Sequence, residues 1–180
     1  TFIPDTSLSG TKYYYVEISN TGGCGSAVSA ISSVRVVETP VAEIISSESS
    51  LCIGGSIELS VTTTGGTSTP SYQWYYYNTL TPSVLTQITG ATAAIYQTGT
   101  ELSVEGTYNY YVEVTYDGSG CGSAVSEVST VTVVEDPLVE ISSIEPSLCI
   151  GGSIELEATT TGGLGTPSYQ WYYYNTLTPG

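Results

Sequence analysis

Apolar and polar residues alternate in short runs along this chain. Ile57, Leu59 and Val61 are separated by Glu58 and Ser60, and Tyr72, Trp74 and Tyr76 by Gln73 and Tyr75. A period of two is the mark of a strand with one buried face. The pattern predicts strands at 41–45, 57–61, 72–77, 107–116 and 128–135, with weaker ones at 94–97 and 102–104. A polar crossing at 46–50 leads into a turn at 52–55, and a Thr/Gly loop spans 62–69. Nearer the start, Tyr14, Val16 and Ile18 share one face, with Tyr13, Tyr15 and Glu17 on the other. The turn Asn20-Thr21-Gly22-Gly23 and a strand at 31–38 complete a hairpin. No stretch carries a helical period.

The same pattern returns. Ser50-Leu51-Cys52-Ile53-Gly54-Gly55-Ser56-Ile57-Glu58-Leu59 recurs from Ser147 to Leu156, and Pro70 to Pro82 recurs from Pro167 to Pro179, a shift of 97 residues. Gly23-Cys24-Gly25-Ser26 likewise matches Gly120-Cys121-Gly122-Ser123. Upstream of that cysteine the shift is 96, since Tyr14, Tyr15 and Val16 match Tyr110, Tyr111 and Val112. A turn that differs by one residue is what repeats tolerate. Prolines 40 and 137 mark the junctions, because proline cannot donate to a ladder. The division expected is residues 1–39, the C-terminal half of a repeat; residues 40–136, a complete repeat; and residues 137–180, the N-terminal half of the next. The chain then reads as a window on a longer polypeptide.

Charge narrows the function. Seventeen acidic residues face only Lys12 and Arg35, with no histidine, for a net charge of −15. Such a surface repels phosphate backbones and anionic lipid, so nucleic acid is excluded as a partner. No apolar run approaches membrane-spanning length, which argues against membrane insertion. Scarce lysine, abundant Ser, Thr, Gly and Tyr, and four cysteines at repeated positions with no Cys-x-x-Cys point to an extracellular β-protein in an oxidising compartment.

The chemistry of an enzyme is missing. Without histidine there is no Ser-His-Asp or Cys-His site, and no phosphate-cradling glycine loop ends in lysine. Glu58, Glu113 and Glu155 alternate with apolar residues, as solvated strand faces do, and do not form a converging carboxylate pair. Gly54-Gly55 and Gly65-Gly66 read as turn glycines. Asp117-Gly118-Ser119-Gly120 lacks the several aspartates of a calcium loop. The reading is no enzyme, no cofactor and no metal.

Seven or so short strands within one 97-residue period argue for an all-β fold of tandem immunoglobulin-like Greek-key sandwiches, one complete repeat and two partial ones. Trp74 stands where such a fold carries its core tryptophan, and Gly106-Thr107-Tyr108 has the spacing of a tyrosine corner. Tyr110 takes the place of the second core cysteine, the usual pair of mid-strand cysteines is absent, and Lys12 replaces the corner tyrosine in the first fragment. Leu51 to Leu59, Tyr72-Gln73-Trp74-Tyr75, Ile88-Thr89-Gly90-Ala91, Gly106-Thr107-Tyr108 and Gly120-Cys121-Gly122-Ser123 together resemble the immunoglobulin-like or PKD-like repeats of bacteroidete surface proteins. The closest likeness is to SprB-type gliding-motility adhesins exported by type IX secretion. That resemblance implies a cell-surface adhesin or filament, with this piece acting as a stalk whose partners are the neighbouring repeats of the same chain. Two other readings stand beside it. One is a polysaccharide-binding module, and the other is an accessory domain of a secreted enzyme.

Two sets of residues carry the candidate sites. Tyr75, Tyr77 and Tyr111 are expected on the outward face of adjacent strands, either as cross-strand pairs supporting the sheet or as a binding stripe for a polysaccharide or other surface ligand. Cys24, Cys52, Cys121 and Cys149 are disulfide candidates with two pairings open. Family habit implies Cys52 with Cys121 inside one domain. Immunoglobulin topology places their turns at opposite poles, which favours a staple from Cys52 to the cysteine expected 97 residues beyond Cys121. The outer halves also supply late and early strands respectively, so their closure into one permuted sandwich competes with an extended string.

Overall fold

The structure, a computed structural model, describes residues 1–23, 25–81, 84–117, 121–145 and 147–174. Among them the alternating runs become strands. Before the first proline junction lie β1 (Gly10–Tyr14), β2 (Glu17–Ile18), β3 (Ala27–Val28) and β4 (Ser32–Val36). The middle repeat holds β5 (Val41–Ser46), β6 (Ser50–Cys52), β7 (Glu58–Thr64), β8 (Pro70–Asn78), β9 (Thr86–Gln87), β10 (Ile95–Gln97), β11 (Gly106–Tyr116), β12 (Ala124–Val125) and β13 (Ser129–Val134). β14 (Leu138–Ser143) and β15 (Leu156–Thr161) follow the second junction.

In the middle repeat the order β10-β7-β5 makes one sheet and β6-β13-β11-β8-β9 the other, with β12 beside β11. Consecutive strands β5 and β6 belong to different sheets, so the chain crosses the sandwich at 47–49. The fold is all-β, an immunoglobulin-like Greek-key sandwich. Its core is the inward set of the alternating strands: Leu59 from β7, Trp74 from β8, Val112 and Val114 from β11, and Val131 and Val133 from β13, all fully buried. The indole Nε1–H of Trp74 donates to the Ala93 carbonyl at 2.9 Å, so the ring is buried without a stranded donor. Burying that ring is worth about 5 kcal/mol at most. Tyr108 closes the expected corner, its hydroxyl donating to the Val104 carbonyl at 3.0 Å.

Two local expectations are corrected. The predicted crossing at 46–50 is shorter, because Ser50–Cys52 forms a strand paired in parallel with Thr132 to Val134. Three residues with one inward side chain, Leu51, are too few to show a period. The weak strand at 102–104 is instead entered by a 3-10 turn over Thr100–Leu102, which drops Leu102 into the core. A single buried leucine fits a turn as well as a strand. In the first fragment, Lys12 does in part what the corner tyrosine does, since its ammonium reaches back to the Asp5 carbonyl and stands 3.9 Å from the Asp5 carboxylate. Hydrogen bonds from Ser7, and then the Lys12 charge, hold the Asp5 carboxyl below its usual range.

The outer pieces repeat the registers of the middle one. Gly10 pairs with Val36 as Gly106 does with Val133, and Val139 with Thr160 as Ala42 does with Thr63. Even the side-chain bond recurs: Ser29 Oγ accepts from the Val16 amide at 3.0 Å, as Ser126 Oγ does from Val112. Among the described residues the two pieces do not pair with each other. Val41, the first residue of β5, pairs near the Tyr116 end of the sandwich, and Val133 leaves β13 beside Gly106 at the other end. The eleven-residue β11 separates those ends by about 33 Å.

At the Gly106 end, Glu101 gathers the polar groups of the core. Its carboxylate accepts from Tyr96 at 2.6 Å, Tyr110 at 3.3 Å and the Gly99 amide at 3.0 Å. Burial, then the Glu101 charge, pushes the Tyr110 hydroxyl far above its ordinary value of 10; burial and the bond to Glu101 do the same to Tyr96. The folded phenols therefore keep protons that the unfolded chain releases near pH 10. Their contribution is fully present below that pH and is lost as pH climbs beyond it. Unfolding free energy measured against alkaline pH should fall by about 1.4 kcal/mol per pH unit for each buried phenol, and Tyr110→Phe should remove one phenol's share of that slope.

Candidate functional site

The outward face of β8 and β11 brings two of the three predicted tyrosines together. Tyr75 and Tyr111 are direct cross-strand partners, and their rings stack at 5.0 Å with only 8° between planes. The Tyr75 hydroxyl points to the Glu113 carboxylate at 3.5 Å. Burial, with Tyr75 and Glu113 adding to it, raises the Tyr111 hydroxyl above its ordinary value. Tyr77 is opposite Asn109 in the register and extends the strip by one ring without a tyrosine partner. All three are half-buried.

The polar side chains around the strip are already committed. The Gln73 amide donates to the Trp74 and Ile88 carbonyls at 3.0 and 2.9 Å, and Asn109 Oδ1 accepts from the Thr130 hydroxyl at 2.9 Å. A sugar site needs aromatic area together with converging free donors and acceptors. This strip offers the area, with the tyrosine hydroxyls and Glu113 as its polar edge. The loop weighed for calcium lies mostly outside the described residues, as Gly118 to Gly120 do.

The second functional feature is the junction. Gly66 N–H donates to the Glu38 carbonyl at 3.1 Å, and 97 residues on, Gly163 N–H donates to the Glu135 carbonyl at 2.8 Å. Gly65 and Gly66 are at φ +74° and +80°, and a Cβ on Gly65 would stand 2.5 Å from the Thr39 carbonyl oxygen, while one on Gly66 would enter the Tyr116 ring. Only glycine lets the incoming chain approach this closely. The last ladder residue of the first fragment is Val36, and Glu38 is already tied to the next domain. In the middle repeat, Val134 is paired with Cys52 and the adjoining Glu135 is bound by Gly163. The linkers therefore hold at most one free residue.

The cysteines sit at the same junctions. Cys52 pairs with Val134 in the register and lines a groove with Pro137, Gly162, Gly163 and Ser168 of the following piece. Cys121 is three residues from Ala124, which pairs with Val114, and just past β11 the Asp117 carbonyl accepts from Ser68 at 2.7 Å on the Gly65–Ser68 loop. Gly106 and Val114 are eight residues apart in one strand, about 26 Å, so Cys52 and Cys121 of one domain lie far beyond the ~7 Å reach of a disulfide. Cys52, Cys121 and Cys149 are free thiols in this chain, and Cys24 lies outside the described residues. Sequence reasoning missed Glu101. The signal for it was the inward side of Tyr96 and Tyr110, whose hydroxyls each need an acceptor once buried.

A family model described as a domain of unknown function, DUF8696, matches residues 41–135. The chain belongs to the DUF8696 family. Both junction prolines fall just outside the matched DUF8696 residues, and no curated protein matches the chain. Among solved structures it is similar to the N-terminal four Ig domains of Dscam1 isoforms 4.44 and 9.44. Each is 15% identical over 72% of this chain and 28% of theirs, with TM-scores of 0.35 and 0.34. A structure describing Dscam isoform specificity matches at the same identity, with TM-score 0.34. The DUF8696 chain thus spans less than a third of the length of those structures.

The stacked pair makes a measurable claim. A double-mutant cycle of Tyr75→Ala and Tyr111→Ala, read by chemical denaturation, should give a coupling of about 0.5–1.5 kcal/mol, whereas the same cycle on Tyr77 and Tyr111 should give nearly none.

Proposed function

We propose that the protein is a spacer segment of an extracellular adhesin or filament, a stalk of tandem immunoglobulin-like domains divided at 1–39, 40–136 and 137–180. The adhesins of bacteroidete gliding motility, exported by type IX secretion, are the setting its sequence resembles. One observation carries the reading: the junction bond from a glycine amide to a glutamate carbonyl recurs 97 residues apart with at most one slack residue beside it. A binding protein has no need to suppress hinge motion between its domains, and a stalk does.

The cysteines fit the same role. Asp117, just past β11, accepts from Ser68 of the Gly65–Ser68 loop, and Cys52 lines a groove with the equivalent loop of the next repeat. Advanced by one period, the two positions are expected to face each other across a junction, where oxidation of both thiols by oxygen or a disulfide such as oxidised glutathione would staple successive domains. The runner-up reading, polysaccharide capture by Tyr75, Tyr77 and Tyr111, is favoured by the stacked pair. Retention on immobilised polysaccharide that is lost when all three become serine would select it.

A polypeptide carrying residues 40–136 twice in tandem tests the stalk. After oxidation, non-reducing peptide mapping should find Cys52 of the first repeat joined to Cys121 of the second, with the other two thiols free. A bridge between Cys52 and Cys121 of a single repeat would sink the proposal.

A further inference from the structure

Tyr75 and Tyr111 stand directly opposite each other on β8 and β11, the two longest strands of the middle sandwich, and both side chains leave the outer face of the sheet. Their rings, 5.0 Å apart and 8° from parallel, are the one stacked aromatic pair among the described residues. The other tyrosine pairs of this repeat, Tyr76 with Tyr108 and Tyr110, and Tyr96 with Tyr110, are tilted and belong to the core side. There the hydroxyls of Tyr108, Tyr96 and Tyr110 are held by the Val104 carbonyl and the Glu101 carboxylate. Tyr77 faces Asn109 rather than a tyrosine.

An oxidant finds few other targets on this domain. The chain has no methionine and no histidine, and Trp74 is fully buried, so the groups within reach from solvent are cysteines and the outward tyrosines. A phenol that loses one electron and one proton becomes a phenoxyl radical, with its unpaired spin on the oxygen and on the two ring carbons beside it, the Cε positions. Cross-strand partners on one face rise side by side from the sheet, which sets the Cε edges of Tyr75 and Tyr111 next to each other. Glu113, on the same face two residues along β11, stands 3.5 Å from the Tyr75 hydroxyl and is placed to take its proton.

We propose that Tyr75 and Tyr111 are an oxidative cross-linking site, joined Cε to Cε as dityrosine by a one-electron oxidant of the haem-peroxidase class acting with hydrogen peroxide. Each tyrosine loses one electron and one proton. The two radicals couple through a new carbon–carbon bond, and the ring hydrogen at each bonded carbon moves to the oxygen of its own ring, restoring both phenols. Hydrogen peroxide takes up the two electrons and two protons and leaves as two waters. Half-buried rings on an open sheet face can turn about χ2 until their Cε edges meet. The bond ties the two central strands and encloses residues 76–110, so a pull applied between the junctions passes through it and cannot draw that segment out. The bond stands on the geometry of the pair, and only its use under load rests on the stalk reading. Tyr15 and Tyr172 hold the equivalent positions in the neighbouring repeats.

The test uses the whole 180-residue chain with its thiols alkylated, so that cysteine neither consumes the oxidant nor quenches the radicals. The probe is a haem peroxidase with hydrogen peroxide at low protein concentration, and the monomer is isolated under denaturing conditions before mapping. Cleavage after glutamate and tandem mass spectrometry should find the Tyr75 and Tyr111 peptides joined and lighter by two hydrogens, with the fluorescence of dityrosine. Tyr75→Phe and Tyr111→Phe keep the stacked ring and should each lose the linked peptide, whereas Tyr77→Phe should retain it, with circular dichroism checking the fold of all three. A monomer whose Tyr75 and Tyr111 stay unlinked, with or without coupling elsewhere, overturns the proposal. So does dityrosine fluorescence in the monomer that persists undiminished in Tyr75→Phe. Either failure leaves the stalk reading untouched, since that reading is tested by the mapping of tandem repeats.

Discussion

The middle sandwich takes in the chain at one pole and releases it at the other, and the rest of the structure follows from that constraint. Entry beside Tyr116 and exit beside Gly106 are fixed by two ladders, β5 on β7 and β13 on the Gly106–Tyr110 half of β11. In the proposed array such a repeat adds length without a new core, and stability would accrue domain by domain with one junction term between each pair.

The poles also explain why the most distinctive residues sit where they do. The Thr/Gly loop presents two left-handed glycines to the incoming chain, where side chains would collide with the Thr39 carbonyl and the Tyr116 ring. Asp117, just past β11, accepts from Ser68 on that same loop, and Cys52 marks the opposite pole. Cysteine and glycine, so often read as a fold's private staples and turns, here belong to the boundary between domains. The acidic surface suits the proposed role: a net charge of −15 would keep such chains from sticking to one another nonspecifically. The tyrosine strip, by contrast, lies on a sheet face between the poles, with its neighbouring amide groups turned to protein partners.

Much of this was legible in the sequence because alternation and repetition are long-range signals. The strands of Leu59, Trp74 and Val112 announce their buried faces over several residues, and the Gly106-Thr107-Tyr108 corner carries its own spacing. Short features left no such trace. The strand at Ser50–Cys52 has one inward residue and takes its identity from a parallel partner eighty residues away in sequence, which no local pattern reveals. The 3-10 turn at Thr100–Leu102 is set by the core's need for one leucine and by Glu101 accepting from two tyrosines, contacts that exist only once the sandwich has formed. For the candidate site, the stacking of Tyr75 on Tyr111 followed from strand adjacency, but the commitment of Gln73 and Asn109 to internal bonds could be seen only in three dimensions. The distance between Cys52 and Cys121 likewise needed the registers.

The central claim is that the domains form a string with little freedom at each joint. Small-angle X-ray scattering on reduced polypeptides carrying one, two and three copies of residues 40–136 tests it most directly. The account predicts a maximum dimension that grows by a constant increment of about 35 Å or more per added copy, with a scattering profile of a rod-like particle. A dimension that grows with the cube root of mass, or one that reports a freely jointed chain, would contradict it.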